Sequence, residues 1–511
     1  MQPTNKNSAD SAPKATRREW IGLAVIALPC LLYSMDLTVL NLAIPAISAE
    51  LKPSSSQLLW IIDIYGFLVA GSLITMGTLG DRIGRRKLLM IGAAAFGVAS
   101  IIAAFSTSAE MLIATRALLG VAGATLAPST LSLIRNMFLD PQQRTFAIGV
   151  WITSYSVGGA IGPLIGGVVL EYFWWGAVFL VGVPVMVLLL VVGPVLLPEY
   201  RDPKAGKLDL PSAALALISV LTVIYGLKRI AENGFTWMSV LSIAVGLIVG
   251  TVFVRRQQRL AYPLLDLSLF RSPAFSASLT TYMLATFVAF GAFLFISQYL
   301  QLVLGLSPLR AGLWLLPFFV GFITGSMLAP IIVRHVHPAY VMGASLVFAA
   351  IGFAVLALVD EFGLAAMATG SIIFSFGLSP VFTLANDMIV STVPPERTGA
   401  ASAVSETGSE LGGALGIAIL GSIGTAVYRG AMADVAPAGV SPAALEAARS
   451  TLGGAVAVAA ELPAALGAEL LVTARAAFAQ SLELTVAVSA AVAVVTALIA
   501  VVLLRRVKDA A

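Results

Sequence analysis

Charged residues are scarce in this sequence. Asp, Glu, Lys and Arg make up 11% of the 511 residues, and 59% are apolar. A soluble domain contains about 25% charged residues, so an ordinary water-soluble enzyme is excluded. The net charge is only +4. The basic residues lie mainly in the segments that connect apolar runs, so this charge does not indicate nucleic-acid binding.

Cysteine and histidine are almost absent. Cys30 is the single cysteine, and His335 and His337 are the two histidines. One cysteine cannot form an intramolecular disulfide, and the spacing of a zinc site is missing. The sequence also lacks the G-x-x-x-x-G-K-[ST] loop of ATP-driven proteins, so we expect no metal and no cofactor.

Long apolar runs dominate instead, and a helix needs about 20 apolar residues to cross a bilayer. The runs are too long and continuous for the strands of a barrel. They predict an all-α integral membrane protein with fourteen transmembrane helices. The runs cover 20–47, 57–79, 88–105, 108–136, 145–170, 176–197, 211–230, 238–254, 274–304, 308–333, 338–359, 362–391, 400–428 and 479–504.

Basic residues test this helix count. If the N-terminus is cytoplasmic and the segments alternate, most of the Lys and Arg residues fall on cytoplasmic segments, as the positive-inside rule requires. The first apolar run is too long for a signal peptide, so we interpret it as a retained helix and both termini as cytoplasmic. The basic residues assigned to outer segments are Lys52, Lys228, Arg229, Arg429, Arg449 and Arg475.

A weak internal repeat indicates two halves. Pro141-x-x-Arg144-Thr145 before helix 5 resembles Pro394-x-x-Arg397-Thr398 before helix 13, which implies a period of eight helices and a 6+2+6 plan. The predicted divisions are a cytoplasmic tail (1–19), a first six-helix half (20–200), two inserted helices (201–272), a second six-helix half (273–428 and 479–504), an extracellular loop (429–478) and a cytoplasmic tail (505–511). The loop is either loosely ordered or contains a short amphipathic helix or hairpin at 442–460.

A glycine-rich basic motif joins helices 2 and 3. Its glycines allow a tight turn, and Asp81 can neutralise Arg82 or Arg85 or lie at the N-terminus of helix 3. Four basic residues alone are also expected of a cytoplasmic loop, but the spacing G-x-x-x-D-R-x-G-R-R is specific. The motif residues are Gly77, Asp81, Arg82, Gly84, Arg85 and Arg86.

A second glycine motif lies in helix 5. Small residues at this spacing let two membrane helices touch backbone to backbone, and the proline can bend the helix. Packing alone could explain single glycines, but the full pattern G-x-x-x-G-P-x-x-G-G is specific. The residues are Gly158, Gly162, Pro163, Gly166 and Gly167.

Together these motifs resemble a known family. The loop motif is similar to that of the major facilitator superfamily, and the helix 5 motif resembles the antiporter motif of its drug exporters. With fourteen helices, the whole chain resembles the fourteen-helix drug:proton antiporters, the QacA/LfrA-like exporters of quaternary ammonium compounds. The resemblance implies extrusion of lipophilic cations in exchange for protons. It also places an acid in helix 10 of some members; the stretch 317–322 contains none here, which argues against divalent cations.

Acidic residues within the apolar runs support this function independently. A carboxylate in hydrocarbon is costly and usually marks a pathway. Asp36 lies near the middle of helix 1 and Asp63 in helix 2, whereas Glu406 and Glu410 share one face of helix 13. Such groups can exchange a proton for a cation, although a structural role stays open for each, most of all for Glu406 near the helix end.

Arg116 is the basic residue lying well inside a membrane helix, and we expect it to pair with Asp36 or Asp63. The resemblance implicates an arginine at this position in proton transfer; a static ion pair is the alternative. Aromatic rings bind cations through their faces, and Trp60, Tyr155 and Phe290 are the candidates. The expected partners are protons, lipophilic cations and the bilayer of a bacterial plasma membrane, and we expect a functional monomer.

Two other classes compete with a multidrug exporter. A transporter of one specific metabolite or antibiotic on the same fold needs more convergent hydrogen-bonding groups, and Gln298, Gln301 and Asn41 leave that possibility open. A membrane-embedded enzyme needs a nucleophile motif, a metal pair or a cofactor loop, and none occurs.

Overall fold

A computed structural model of the chain describes residues 13–201, 209–260, 263–393, 398–433 and 440–505. Pro394 and Arg397 of the repeat, and parts of the two tails, lie outside the described residues. Fourteen helices in the described part are long and apolar enough to cross a membrane, which confirms the prediction. They are α1 Arg17–Leu51, α2 Ser55–Ile83, α3 Arg85–Ala104, α4 Ala109–Met137, α5 Pro141–Tyr172, α6 Ala177–Leu196, α7 Leu210–Asn233, α8 Trp237–Gln257, α9 Pro273–Val303, α10 Pro308–Ile332, α11 Pro338–Leu356, α12 Val359–Ser391, α13 Thr398–Ala431 and α14 Ala464–Leu504.

Local sequence signals set the helix boundaries. Ser54 starts α2 with a reciprocal cap, in which Ser54 Oγ accepts from the Gln57 N–H while the Gln57 side chain accepts from the Ser54 N–H. Gly84, with φ of 115°, separates α2 from α3, a conformation that only glycine adopts easily. α4 consists of two helical pieces that meet at Ala124 and Thr125, just after Arg116.

The helices form two apolar bundles. One core is built from α1–α6. The other is built mainly from α9–α14 and also takes in Leu42 and Ile44 of α1 and Leu58, Leu59 and Ile62 of α2. The bundles meet where α13 packs on α2, α10 on α5, and α9 on α1. The helices α7 and α8 pack against each other, and α7 contacts both α2 and α13. The inserted pair therefore lies beside the junction of the two bundles.

The predicted loop 429–478 is wrong at its end. α14 begins at Ala464 rather than 479, because an alanine-rich segment continues the helix despite its charged residues. Two short helices, Pro442–Ser450 and Leu452–Glu461, precede it, so of the two alternatives for the 442–460 stretch the structure shows the helical one. They connect both bundles: Ser55 Oγ donates to the Ser450 carbonyl, and Tyr428 Oη donates to the Ala448 carbonyl at 2.9 Å.

Candidate transport site

Arg116 forms a buried ion pair with Asp36. Arg116 Nη1 lies 2.6 Å from Asp36 Oδ2, and the exposed fractions of the side chains are 1% and 16%. Arg116 Nε also donates to the Ile61 carbonyl at 3.3 Å, and the guanidinium lies 4.6 Å from the centre of the Tyr65 ring. The structure thus selects Asp36 from the two expected partners and joins α1, α2 and α4.

A glycine brings α4 close enough for these contacts. A β-carbon at Gly120 would lie 2.6 Å from the Tyr65 carbonyl oxygen and 2.9 Å from Leu68 Cβ. The position therefore accepts no side chain without moving α4 away from α2. The small residue places Arg116, one turn earlier, against Tyr65 and Ile61.

Asp36 also faces a small cavity between α1, α3 and α6. The cavity has a volume of about 20 Å³, and its lining includes Phe96, Ser100 and Phe179. That volume holds about one water molecule. One side of the Asp36 carboxylate is thus paired with Arg116, while the other side borders a space that admits a small polar molecule.

Glu410 connects the two bundles through Tyr33. Tyr33 Oη on α1 donates to Glu410 Oε1 on α13 at 2.6 Å. The Tyr33 ring lies 6.0 Å from the Tyr65 ring and 5.7 Å from the Tyr155 ring, measured between centres. Because Tyr65 lies beneath Arg116, an unbroken series of contacts runs from Asp36 to Glu410.

Glu406 lies one turn before Glu410 on the same face of α13 and is partly buried. Among the described residues, neither glutamate forms a salt bridge with a basic side chain. The two carboxyl groups therefore differ from Asp36 and Asp63, each of which has a basic partner. Of the four predicted acids, these two have, within the described ranges, no fixed positive charge that a mobile cation or proton must displace.

Asp63 pairs with a residue that sequence analysis placed elsewhere. Lys228 Nζ lies 2.7 Å from Asp63 Oδ2, and both side chains are fully buried. The assignment of Lys228 to an outer connecting segment is wrong: it lies within α7, near its end. Its ammonium group also lies 3.7 Å from the centre of the Trp60 ring. The ring face predicted to bind a drug thus holds a lysine in this structure.

The other two predicted aromatic residues, Tyr155 and Phe290, lie on α5 and α9. Tyr155 packs edge to face on Trp151, with ring centres 4.9 Å apart, and contacts Tyr33. Phe290 on α9 is partly buried and packs against Gly413 of α13, where a β-carbon would lie 3.3 Å from the ring. Both rings therefore adjoin helices that carry Glu410 or its partner.

The loop motif forms a network at one end of the bundle. Arg85 Nε donates to Asp81 Oδ1 at 2.8 Å and Arg85 Nη1 to the Pro128 carbonyl at 3.2 Å. Arg86 Nη1 donates to the carbonyls of Pro194 and Leu197, both at 3.0 Å. These bonds tie the start of α3 to α2, α4 and α6.

Glu199 completes this network, and sequence analysis missed it. Its carboxylate accepts from the backbone N–H groups of Arg86 and Lys87 at 3.1 and 3.2 Å, where the α3 N-terminus favours an anion. A β-carbon at Gly84 would overlap this carboxylate. Of the remaining motif residues, Gly77 lies beside Pro128 and Arg82 is exposed.

The helix 5 motif packs on both bundles. β-Carbons at Gly158 and Gly162 would collide with α1, at the Leu31 carbonyl and Thr38 Oγ1, and one at Gly166 would lie 2.9 Å from Val39. Gly167 faces the other bundle, where a β-carbon would lie 2.9 Å from the Pro308 carbonyl oxygen. The backbone carbonyl of Pro163 packs against Gly312 of α10.

Tyr33, Tyr65 and Lys228 are functional candidates that sequence analysis missed. Tyr33 lies three residues before Asp36, and Tyr65 two residues after Asp63, a proximity that offered a weak signal. No group of three or more His, Cys, Asp or Glu residues in the described ranges could hold a metal ion.

Comparison with known proteins gives consistent matches. The family model described as Major Facilitator Superfamily matches residues 26–417. The chain is 45% identical to the multidrug efflux pump LfrA of Mycolicibacterium smegmatis, over 97% of this chain and 99% of that protein. It is 36% identical to the methyl viologen resistance protein SmvA of Salmonella typhimurium, over 90% and 93%. It is 33% identical to the tetracenomycin C resistance and export protein of Streptomyces glaucescens, over 79% and 76%.

A solved structure shares the fold. It is a bacterial homologue of the human lysosomal transporter Spinster, captured in an inward-facing, unoccupied conformation. The two chains superpose with a TM-score of 0.70 at 18% identity, covering 96% of this chain and 98% of the other.

Proposed function

Because the chain belongs to the Major Facilitator Superfamily, we propose that it is a secondary active transporter that exports lipophilic cationic drugs in exchange for protons. It is a multi-pass protein of the bacterial plasma membrane and a transporter rather than an enzyme. The names of LfrA, a multidrug efflux pump, and SmvA, a methyl viologen resistance protein, support drug efflux. Methyl viologen carries two quaternary nitrogens, which supports cationic substrates and weighs against the expectation that divalent cations are excluded.

The Tyr33–Glu410 hydrogen bond carries this proposal. It places a carboxyl group of one bundle against the helix that holds Asp36, at the junction where transporters of this plan bind substrate. An ionised carboxylate attracts a cationic drug, and a protonated one does not. Competition between a proton and a drug for Glu410, supported by Glu406, therefore couples the two fluxes.

Arg116 sets the state of Asp36 in this scheme. While the 2.6 Å ion pair is intact, Asp36 is compensated and attracts no further cation. A proton or a drug cation arriving at Asp36 competes with Arg116, whose guanidinium keeps its contacts with Ile61 and Tyr65. The membrane potential supplies about 2.3 kcal/mol per charge per 100 mV.

The two glycine motifs serve the movement of the bundles. We assign the network around Asp81, Arg85, Arg86 and Glu199 to a cytoplasmic gate, with both termini on the cytoplasmic side. The helix 5 motif holds α5 tightly against α1 and α10 at the closed junction. The transporter works as a monomer, because each chain contains both bundles.

Efflux from proteoliposomes tests the proposal. Protein is reconstituted with an imposed pH gradient, and transport of a fluorescent lipophilic cation is compared for wild type, Asp36→Asn and Glu410→Gln. We expect gradient-dependent transport in wild type and a loss of at least tenfold in both variants. Glu469→Gln, at an exposed carboxylate, is the matched control and should transport normally. Transport independent of the gradient contradicts proton exchange, and full activity of both variants contradicts the site.

Export of one specific antibiotic is the alternative function, and the name of the tetracenomycin C resistance and export protein favours it. A panel of cations and of neutral antibiotics separates the two. A multidrug exporter transports several unrelated cations, and each inhibits the transport of the others. A dedicated exporter transports a single compound of the panel and ignores the rest.

A further inference from the structure

Lys228 is a buried charge that the exchange of drug and proton does not use. Its ammonium lies 2.8 Å from Asp63 Oδ1 and 2.7 Å from Oδ2. A charge within the hydrocarbon region is costly unless it is paired. Both side chains have no exposed surface, so this pair is closed to solution.

Trp60 and Asp63 act together on this lysine. They lie one turn apart on α2, and the ammonium lies 3.7 Å from the centre of the Trp60 ring. A carboxylate and an aromatic ring face each attract a cation strongly in an apolar setting. Both are occupied by a residue of the inserted helix α7, so α2 is attached to α7 by a directional, charged contact.

The contact between α7 and α13 has a different character. The cluster shared by α2, α7 and α13 has a buried centre of Phe67, Ile224, Ala414 and Ala418. Among the described residues, no hydrogen bond or ion pair joins α7 to α13. Apolar attraction is non-directional, so these two helices can shift against each other without breaking a specific bond.

We propose that Lys228 is a positioning residue for transport, which fixes α7, and with it α8, to the first bundle. The inserted pair then moves with α2 as the bundles change their relative position, and α13 slides along α7. This inference rests on the proposed export function and deepens it. It assigns Asp63 and Trp60 to anchoring the inserted helices rather than to binding protons or drugs.

A double-mutant cycle with reversed charges tests the role of Asp63. Asp63→Lys, Lys228→Asp and the combined variant are reconstituted and assayed for cation export and its dependence on pH. We expect each single variant to lose at least tenfold, because two like charges then meet in an enclosed site. The combined variant should recover to within about threefold of wild type with an unchanged pH profile, because an ion pair again joins α2 to α7. If the Asp63 carboxylate binds protons or drugs from its place on α2, the combined variant stays as inactive as the single variants, which overturns the proposal.

Cross-links test which bundle carries α7. Cys30 is buried and is replaced by Ala, so that introduced cysteines are the only thiols. One pair is Gly71→Cys with Leu217→Cys, where a β-carbon at Gly71 would lie 2.7 Å from Leu217 Cγ, a spacing suited to a disulfide once the leucine is shortened. The other pair is Ile224→Cys with Ala418→Cys, joined by a short thiol-reactive linker.

We expect the link between α2 and α7 to preserve export and the link between α7 and α13 to abolish it, with recovery when a cleavable linker is reduced. Any other pattern contradicts the proposal: two harmless links exclude sliding, and a harmful α2–α7 link shows that α7 leaves α2. If the cysteine-free parent exports no cation at all, the proposed function fails instead, so the two failures are distinguishable.

Discussion

Two ion pairs of similar composition lie in the membrane region, and they differ in what surrounds them. Asp36 and Arg116 meet within the first bundle, where 16% of the Asp36 side chain is exposed and the carboxylate borders a cavity. Asp63 and Lys228 meet at the contact with α7, where both groups are fully enclosed. Full enclosure favours a permanent ion pair, whereas partial access lets another cation exchange with the basic partner. The residue types in a pair therefore do not by themselves show whether the pair anchors a helix or takes part in transport.

Removing Lys228 breaks the enclosed pair and should have the largest effect on stability. Lys228→Met leaves the Asp63 carboxylate buried without a partner, which costs about 3–5 kcal/mol. We expect a strongly lowered melting temperature in detergent, or loss of folded protein. Adding Asp63→Asn should restore most of the melting temperature. A single variant as stable as wild type contradicts a closed pair.

Asp36→Asn, at the partly exposed Asp36–Arg116 pair, should reduce transport much more than it reduces stability. Arg116 keeps its bond to the Ile61 carbonyl and its contact with Tyr65, so we expect a loss of about 1–3 kcal/mol. Export should nevertheless fall below a tenth of wild type. The comparison needs melting temperature and efflux measured on the same preparation. A variant that loses stability as severely as Lys228→Met removes the distinction between the pairs.

Gly120→Val tests whether the close approach of α4 to α2 maintains the Asp36–Arg116 pair without affecting the Asp63–Lys228 pair. The new side chain collides with the backbone of Tyr65, and overpacking of this kind costs about 1–3 kcal/mol. We expect lower export, since Arg116 moves away from α2. The α2–α7 cross-link through Gly71 and Leu217 should still form at the wild-type rate. Gly149→Val, at a glycine with open space around it, is the control.

Trp60→Leu removes the ring beside Lys228 and keeps the ion pair. The loss of a desolvated cation–π contact costs about 2 kcal/mol or less. We expect a modest fall in melting temperature with unchanged drug affinity, measured by equilibrium binding of the fluorescent cation. A large loss of affinity without a change in melting temperature assigns Trp60 to the drug site instead.

Breaking an ion pair at the start of α7 should have the smallest effect on stability. Arg256 Nη2 lies 2.9 Å from Asp209 Oδ1; burial acts to raise the pKa of Asp209, but hydrogen bonds from Ser212 and Arg256 outweigh it and lower the pKa. The stabilisation is therefore complete above the ordinary pKa of aspartate and is lost as pH falls through the lowered value. Because Arg256 is partly exposed, Asp209→Asn should cost at most about 1 kcal/mol at neutral pH, and nothing in acid. Melting curves of wild type and Asp209→Asn between pH 3 and 7 test whether the difference in stability is present at neutral pH and disappears in acid.

The sequence predicted the helices well and the pairings only in part. Each transmembrane helix corresponds to one long apolar run in the sequence, so all fourteen helices were predicted. The partner of Arg116 was narrowed to Asp36 or Asp63 because a residue's position along a helix indicates its depth in the membrane. Lys228 was missed because a single lysine near a helix end is indistinguishable from a loop charge, and Tyr33 because a tyrosine in an apolar helix normally belongs to the core. The start of α14 was missed because Glu469 and Arg475 lower the local hydropathy without interrupting the helix.

The arrangement of charges also determines how the resting transporter responds to voltage. An electric field exerts no net force on a closed pair of opposite charges, so neither Asp36–Arg116 nor Asp63–Lys228 makes the empty protein sensitive to it. The carboxyl groups of Glu406 and Glu410 have no basic partner among the described residues. In the proposed exchange, we therefore expect Glu406 and Glu410 to carry charge through the membrane, together with Asp36 once a proton or drug has displaced Arg116. The current carried per turnover then reports how many protons these groups exchange for each drug.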